Sequence, residues 1–416
     1  MHLNAVIDPA LYGPMRSVLS ALPEGPILVA VSGGSDSVAL LHLLHKWAQR
    51  PLIVATVDHG LRAESAQEAE FVANLCAHLE LPHQTCHWTG PKTGNVQALA
   101  RDARRALLTQ AAQAAGAATI ALGHTLDDQA ETFLLRLARG SGVDGLSAMS
   151  PIRQENDLTW ARPLLHSRRS DLQAFLRDIG QNWIDDPSNE DETFDRVRFR
   201  KAASMLSDLG LGSERLAATA DRMGLAREAL GQVAQDLARK CARPHVLGHL
   251  ELDLPPLAHA PRETALRVLA TALTWVTGTR YRPRFSSLKP VLHGMCEEAQ
   301  GATTLHGAQM RWREGRALLY REASKMAPPR ALPGCWDNRF ECSGEGADLL
   351  LGPLGTALNE DLNWRASGLS REVLVVSPAL WQGQRLVAHP TLSPNPAHIF
   401  RHTCGIEAFF ESFLSR

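Results

Sequence analysis

The chain has 416 residues, is 44% hydrophobic and 21% charged, and carries a formal net charge of −1. That length exceeds one ordinary core and predicts two or three domains, with the composition of a soluble globular protein. A near-zero net charge requires any nucleic-acid partner to be met by a local basic patch. The N-terminal stretch MHLNAVIDPALYGPMRSVL lacks a basic region followed by an apolar one, so no signal peptide is expected. No run of eighteen apolar residues exists, so no membrane span is expected either. Seven cysteines, at positions 76, 86, 241, 296, 335, 342 and 404, form no Cys-x-x-Cys. An odd, scattered set predicts a reducing cytoplasm and no disulfide partner or zinc ribbon.

The first predicted strand is the apolar run from Ile27 to Val31 in ILVAVSGGSDSVALLHLL. Helical spacing begins at Ser37 and continues through Val38, Leu41, Leu44 and Ala48. LIVATVD (Leu52 to Asp58) is a second buried strand, followed by an acidic amphipathic stretch from Glu64 to Leu79. QTCHW (Gln84 to Trp88) is a weaker strand, and Val96 to Ala115 an alanine-rich helix. TIALGH (Thr119 to His124) is a short strand before a helix from Asp127 to Arg139. This alternation predicts an α/β domain, a parallel sheet with helices on both faces. Ligands of such sheets sit at the carboxyl ends of strands. Three polar clusters fall there: Ser32 to Ser37, Asp58-His59-Gly60, and His124 to Asp128.

From Ser213 the pattern turns helical, with little strand signal before Gly301. MAPPRALPG (Met326 to Gly334), with Pro328, Pro329 and Pro333, reads as a linker. The remainder, with VLVV, GQRLVA and Gly/Pro turns, reads as a small β-rich module. The predicted domains are therefore a nucleotide-binding domain over 1–212, a helical one over 213–325 and a β-rich one over 335–416.

Ser32-Gly33-Gly34-Ser35-Asp36-Ser37 could be an ordinary strand-to-helix turn. It also has the parts of a phosphate cradle: glycines for close backbone approach, serine hydroxyls as donors and a helix N-terminus. No lysine follows the glycines, so the Walker P-loop pattern is absent. Such a loop suits the pyrophosphate end of ATP. Asp36 would repel phosphate unless it held Mg²⁺ against it, which makes Asp36 the candidate metal ligand. In HTLDDQAE (His124 to Glu131), Thr125 can cap a helix and the acids can oppose its dipole. Three acids and a histidine exceed what capping needs, and Asp128 and Glu131, three apart, share a helix face.

SGGSDS after a first strand resembles the PP-loop of the ATP pyrophosphatases, which cleave ATP to AMP and pyrophosphate. VDHGLR, GHTLDDQAETFLLRLARGSGVDGLSAM, ARPLL and WIDDPSNED, in that order, resemble the tRNA(Ile)-lysidine synthases over residues 25–200. The resemblance implies ATP and Mg²⁺ as cofactors, and free L-lysine and a CAU-anticodon tRNA(Ile) as substrates. It implies that Ser32, Gly33, Gly34, Ser35, Asp36 and Ser37 hold the nucleotide, and that Asp128 and Glu131 hold lysine. Asp36, His124, Arg104 and Arg196 are the implied catalytic residues, with Arg200 beside Arg196 as a further candidate for stabilising negative charge. Arg101 and Arg104 match two family arginines on a helix that otherwise reads as a solvated basic face. The chain departs from the family pattern at Gln97 (Glu), Arg105 (Tyr) and Val197 (Asn). Arg136 and Arg139, before Gly140, read as helix-end structure.

The implied reaction adenylates O2 of the wobble cytosine, releases pyrophosphate, and lets lysine's ε-amine displace AMP from C2. At a free pKa of about 10.4, roughly one amine in a thousand is neutral near pH 7.4, so a base or a desolvated pocket is required. His124 and its neighbouring acids are the candidates. Between Pro261 and Glu322, ten Lys/Arg face five Asp/Glu, with Trp275, Tyr281 and Trp312 interleaved; the resemblance implies tRNA backbone contact there. The rivals are a PP-loop tRNA thiolase, which needs cysteine pairs the chain lacks; a glutamine-dependent amidoligase, for which Met1-His2 offers no N-terminal cysteine; and a non-catalytic nucleotide-binding protein.

Overall fold

The computed structural model of the chain describes residues 9–60, 65–91, 96–155, 157–185, 195–344, 346, 348–359 and 363–414. The chain divides into two compact units, residues 1–227 and 228–415.

The first unit begins with α1 (Pro9–Ser20), β1 (Ile27–Ala30), α2 (Ser35–Trp47), β2 (Leu52–Asp58), α3 (Ser65–His78), β3 (His83–His87), α4 (Val96–Ala114) and β4 (Thr119–Leu122). There follow α5 (Leu126–Ala138), α6 (Val143–Leu146), β5 (Ile152–Glu155), β6 (Leu158–Ala161), α7 (Arg169–Asp178), α8 (Asp195–Lys201) and α9 (Ala203–Asp208), and then α10 (Ser213–Cys241), inside which the division falls. The sheet order is β3-β2-β1-β4-β6-β5, parallel throughout except for the antiparallel edge strand β5. On β1, Ile27 and Val29 join one core and Leu28 another, because successive side chains leave opposite faces of the sheet. Helix α2 lays Leu40, Leu41, Leu43 and Leu44, all fully buried, into the first of these cores. Each such leucine contributes about 2 kcal/mol of burial free energy. α2 ends where Ala48 turns left-handed and its N–H caps Leu44 O.

β1 and β4 are neighbours, yet the chain runs from β1 outward through β2 and β3 before returning to β4. This reversal opens a crevice at the carboxyl ends of β1 and β4. The two loops there touch: a Cβ on Gly123 would lie 3.0 Å from Ser37 N and Asp36 O, so any larger residue would press on the loop. Proline-free, alternating segments made these strands legible. The hairpin β5–β6 was not expected, since LTWA is only four residues long.

The second unit departs from the expected division. The segment 213–325 is not purely helical. It holds a five-stranded antiparallel sheet, β7 (Ala242–Pro244), β8 (Leu250–Asp253), β9 (Gln300–Leu305), β10 (Ala308–Arg313) and β11 (Arg316–Arg321), in the order β7-β8-β11-β10-β9. Helices α11 (Leu254–His259), α12 (Arg262–Thr277) and α13 (Phe285–Glu297) accompany it. The expected linker is packed: Met326, Ala327 and Leu332 join a core with Trp336 and Phe340, and Trp336 Nε1 donates to Ala327 O at 3.0 Å. Its prolines interrupt regular structure without freeing the chain, because the apolar residues flanking them are partly buried against that core. The rest carries β12 (Arg330–Ala331), β13 (Phe340–Ser343), β14 (Leu349–Pro353), α14 (Arg371–Val375), β15 (Pro378–Gln382), β16 (Arg385–Ala388), β17 (Ile399–His402) and α15 (Ile406–Glu411). The expected class stands: a parallel sheet first, helices and antiparallel sheets after it. No helix among the described residues is long and apolar enough to cross a membrane.

Candidate active site

The loop between β1 and α2 is built to present backbone. Gly33 sits at φ +92°, a conformation that favours glycine, and its carbonyl accepts Ile184 N–H at 2.9 Å. Ser37 Oγ donates to Gly34 O at 2.9 Å and accepts Ser32 N–H at 3.2 Å, which closes the turn. Ser35 Oγ donates to Asp36 Oδ1 at 3.2 Å. The start of α2 thus stands at the mouth of the crevice, where a helix N-terminus favours an anion.

The loop after β4 brings the acids. Asp128 does serve the capping role open to it: Thr125 N–H and Oγ–H donate to its Oδ2 at 2.9 and 3.0 Å, and Asp128 N–H returns to Thr125 Oγ at 3.4 Å. Its other oxygen, Oδ1, accepts Arg169 at 3.2 Å. Arg169 Nε also donates to Asp36 Oδ2 at 2.9 Å, and its guanidinium lies 3.9 Å from Glu131 Oε1. Glu131 is held by Arg200 Nε at 2.9 Å. Asp127 points elsewhere, accepting the backbone N–H of Arg169 at 2.8 Å and so anchoring α7. Asp36, Asp128 and Glu131, distant in sequence from Arg169, therefore meet on one guanidinium.

Burial raises the Asp36 carboxyl despite Arg169, and burial likewise raises Glu131 despite Arg200. Burial acts on Asp128 too, but Arg169, His124 and the Thr125 hydrogen bonds outweigh it and hold its carboxyl below the usual range. The three carboxylates hold Arg169 firmly charged against the opposing effect of burial. Among the described residues three carboxylates and two guanidiniums share this cluster, with His124 acting on Asp128 as a further positive group. A cleft of about 660 Å³ opens beside it, lined by Arg169, Gln173, Arg200, Ser213 and Glu214 among others.

The remaining expected residues divide. His124 lies close enough to Asp128 to act on its charge. Arg104 makes its contacts with His59, donating to Nε2 at 3.0 and 3.2 Å, and joins none of the three acids among the described residues. His59 is neutral, its pKa pushed down to about 4 by burial and by Arg104, and it lies edge-on to Trp88 at 6.1 Å. For Arg196 the structure describes only its place on α8, and the Gln97 side chain and Leu61 to Glu64 lie outside the described residues, as does most of the DPSN turn. Arg105, where the family has tyrosine, lies over the Trp160 ring at 4.8 Å and pairs with Glu155. Val197 is buried. Arg136 is structural, donating to Gly145 O and Ala148 O at 2.7 and 2.8 Å. Trp275 and Trp312 are core residues of the second unit, and only Tyr281 of the three interleaved aromatics is exposed. Among the described residues no group of three or more metal-ligating side chains forms.

Sequence reasoning missed Arg169 and Gln173. A signal existed: Arg168 and Arg169 open a helix, where the dipole disfavours cations. Two arginines there require nearby acids, and the structure supplies Asp36 and Asp128 to Arg169 and Glu214 to Arg168.

Residues 11–205 match the PP-loop domain family. The tRNA(Ile)-lysidine synthase of Ruegeria pomeroyi is 39% identical over 415 residues, covering 97% of this chain and 98% of that protein. Those of Wolbachia pipientis wMel and Methylobacterium nodulans are 33% and 42% identical, over 90% and 74% of this chain and 91% of each relative. With identity sustained across both units and a PP-loop domain in the first, the chain belongs to the tRNA(Ile)-lysidine synthase family.

Proposed function

We propose that this enzyme ligates L-lysine to C2 of the wobble cytidine of a CAU-anticodon tRNA(Ile), with ATP giving AMP and pyrophosphate, in the cytoplasm. The observation that carries the reading is the meeting of an anion-binding loop and an acid-rich pocket on the one side chain of Arg169. In this reading Ser32 to Ser37 cradle the pyrophosphate through backbone N–H groups, hydroxyls and the α2 N-terminus. Asp36 fits a Mg²⁺ that takes one protein carboxylate and completes its shell with phosphate oxygens and water. Bound there, the ion would neutralise charge on the departing pyrophosphate.

Asp128 and Glu131 hold an ammonium of lysine. Adenylation of O2 turns a poor leaving oxygen into a good one, and the ε-amine then forms the C2–N bond as the C2–O bond to AMP breaks. Its proton needs an acceptor, and His124, close to Asp128, is assigned that role. Arg200, at Glu131, stands where it can stabilise negative charge, and Arg196 on the same helix is proposed to assist. Arg104, paired with the neutral His59 at the end of β2, is assigned to a phosphate of nucleotide or tRNA. Exposed Arg280, Arg284 and Lys289 beside Tyr281 and Phe285 are assigned to the tRNA backbone.

The test supplies labelled lysine, ATP-Mg²⁺ and two transcripts, tRNA(Ile) and tRNA(Met), both with CAU anticodons. Label in the isoleucine transcript alone, with AMP formed in step, is expected. Pyrophosphate release without lysine incorporation would overturn the substrate assignment.

A further inference from the structure

Arg169 serves the acid pocket and the phosphate loop at once. Helix α7 places Arg169 and Gln173 one turn apart, on the same face. Arg169 bonds Asp36 in the loop, and Gln173 Nε2 donates to Ser35 Oγ at 3.4 Å in the same loop. From the loop Arg169 reaches Asp128 at 3.2 Å and approaches Glu131 at 3.9 Å. Among the described residues its side chain meets carboxylates only, and no backbone carbonyl fixes its guanidinium. The guanidinium occupies, by charge and by position, the seat that an incoming ammonium would take.

We propose that Arg169 is a stand-in cation for the lysine pocket. Without nucleotide it neutralises Asp128 and Glu131 and excludes lysine; with nucleotide it turns to the phosphates above Ser35 and Asp36, leaving the carboxylates to the substrate. The proposal rests on the lysine-ligating reading above. It makes Arg169 a positioning residue that imposes an order, nucleotide before lysine. The apparent lysine affinity of the nucleotide-free enzyme is then reduced by the small fraction of molecules whose pocket is open. By linkage, lysine must tighten nucleotide binding by the same factor.

Calorimetry on the full chain tests this, with lysine titrated into the protein alone and with α,β-methylene-ATP and Mg²⁺. The wild type is expected to bind lysine at least about tenfold more tightly with the analogue, and the reverse titration to show the same factor. Arg169→Met is expected to bind lysine without nucleotide as tightly as the wild type does with it, and to lose the coupling. Equal wild-type affinities with and without the analogue would overturn the proposal. So would an Arg169→Met protein that binds lysine more weakly in both states, since the guanidinium would then be scaffold. Should Arg169→Met fail to fold, the two wild-type titrations decide alone. Lysine incorporation into tRNA is measured alongside. Its absence removes the proposed function and this switch together; its presence with uncoupled affinities removes the switch alone.

Discussion

Two clusters of arginine and carboxylate, one in each unit, use the same groups to opposite ends. In the first unit Asp36, Asp128 and Glu131 surround Arg169 and Arg200, with side chains 8% to 35% exposed. In the second, Asp337 alone faces Arg321 and Arg339, at 4%, 10% and 1% exposed. Asp337 accepts Arg321 Nε and Arg339 Nε, each at 2.9 Å, and the backbone N–H of Ala327 at 3.1 Å. Both Arg321 Nη atoms and Arg339 Nη1 donate to backbone carbonyls of Gly307, Lys325 and Val276, while among the described residues Arg339 Nη2 makes only an ion-pair contact with Asp337 Oδ2 at 2.8 Å. Burial still pushes the Arg339 pKa down to about 10, which shows how completely it is withdrawn from water. The second cluster is closed, with backbone acceptors that cannot leave. The first has an adjoining cleft, and its Arg169 side chain meets carboxylates and no backbone carbonyl among the described residues. Backbone carbonyls thus fix the guanidiniums of the second cluster, whereas carboxylates alone hold Arg169 among the described residues of the first.

The largest expected effect breaks the closed cluster. Asp337→Ala would strand two buried guanidiniums and cost about 3–5 kcal/mol, read as a loss of urea midpoint for the second unit. A loss below about 1 kcal/mol would refute the contrast. In the open cluster, Glu131→Gln is expected to leave the melting temperature close to wild type. It should lower kcat/KM for lysine about 100-fold, or about 2.7 kcal/mol of transition-state binding. Unchanged lysine kinetics would remove Glu131 from the site.

A third prediction concerns pH. His402 is buried, stacks on Trp275 at 4.4 Å, and has no hydrogen-bond partner among the described residues; burial pushes its pKa from 6.5 to about 3. Because the folded value lies below the unfolded one, the unfolded chain binds more protons between these values. Stability is then full above about pH 6.5 and falls as pH drops toward 3. His402→Phe should remove about 2 kcal/mol of the loss between pH 7 and pH 5, measured by urea unfolding at both. An unaltered pH slope would show that His402 does not titrate so. The smallest effect is expected at the exposed Arg168–Glu214 pair, where Arg168→Ala should change stability by less than about 1 kcal/mol.

The sequence carried the nucleotide loop and the acid pair because both are local signals. SGGSDS needs only six adjacent residues, and the acids of HTLDDQAE share one helix face. It also carried most of the first unit's strands, each a short apolar run of the parallel-sheet kind. β6 was missed because four residues hold no period, and the 326–334 segment was misread because prolines mark a bend without saying whether the bend is buried. Arg169 left only a local hint, two arginines at the start of a helix, which does not say which acids they meet.

What this sequence determined by itself was chemistry that lies within one turn or one loop: an anion cradle, a pair of carboxylates, a family pattern. Only the tertiary structure decided that β1 and β4 lie side by side, that Gly123 lets their loops touch, and that α7 brings Arg169 across to both. Contacts among residues 36, 128 and 169 depend on sheet order and helix placement. These are set by burying apolar faces on a shared core, and no local run of residues encodes them.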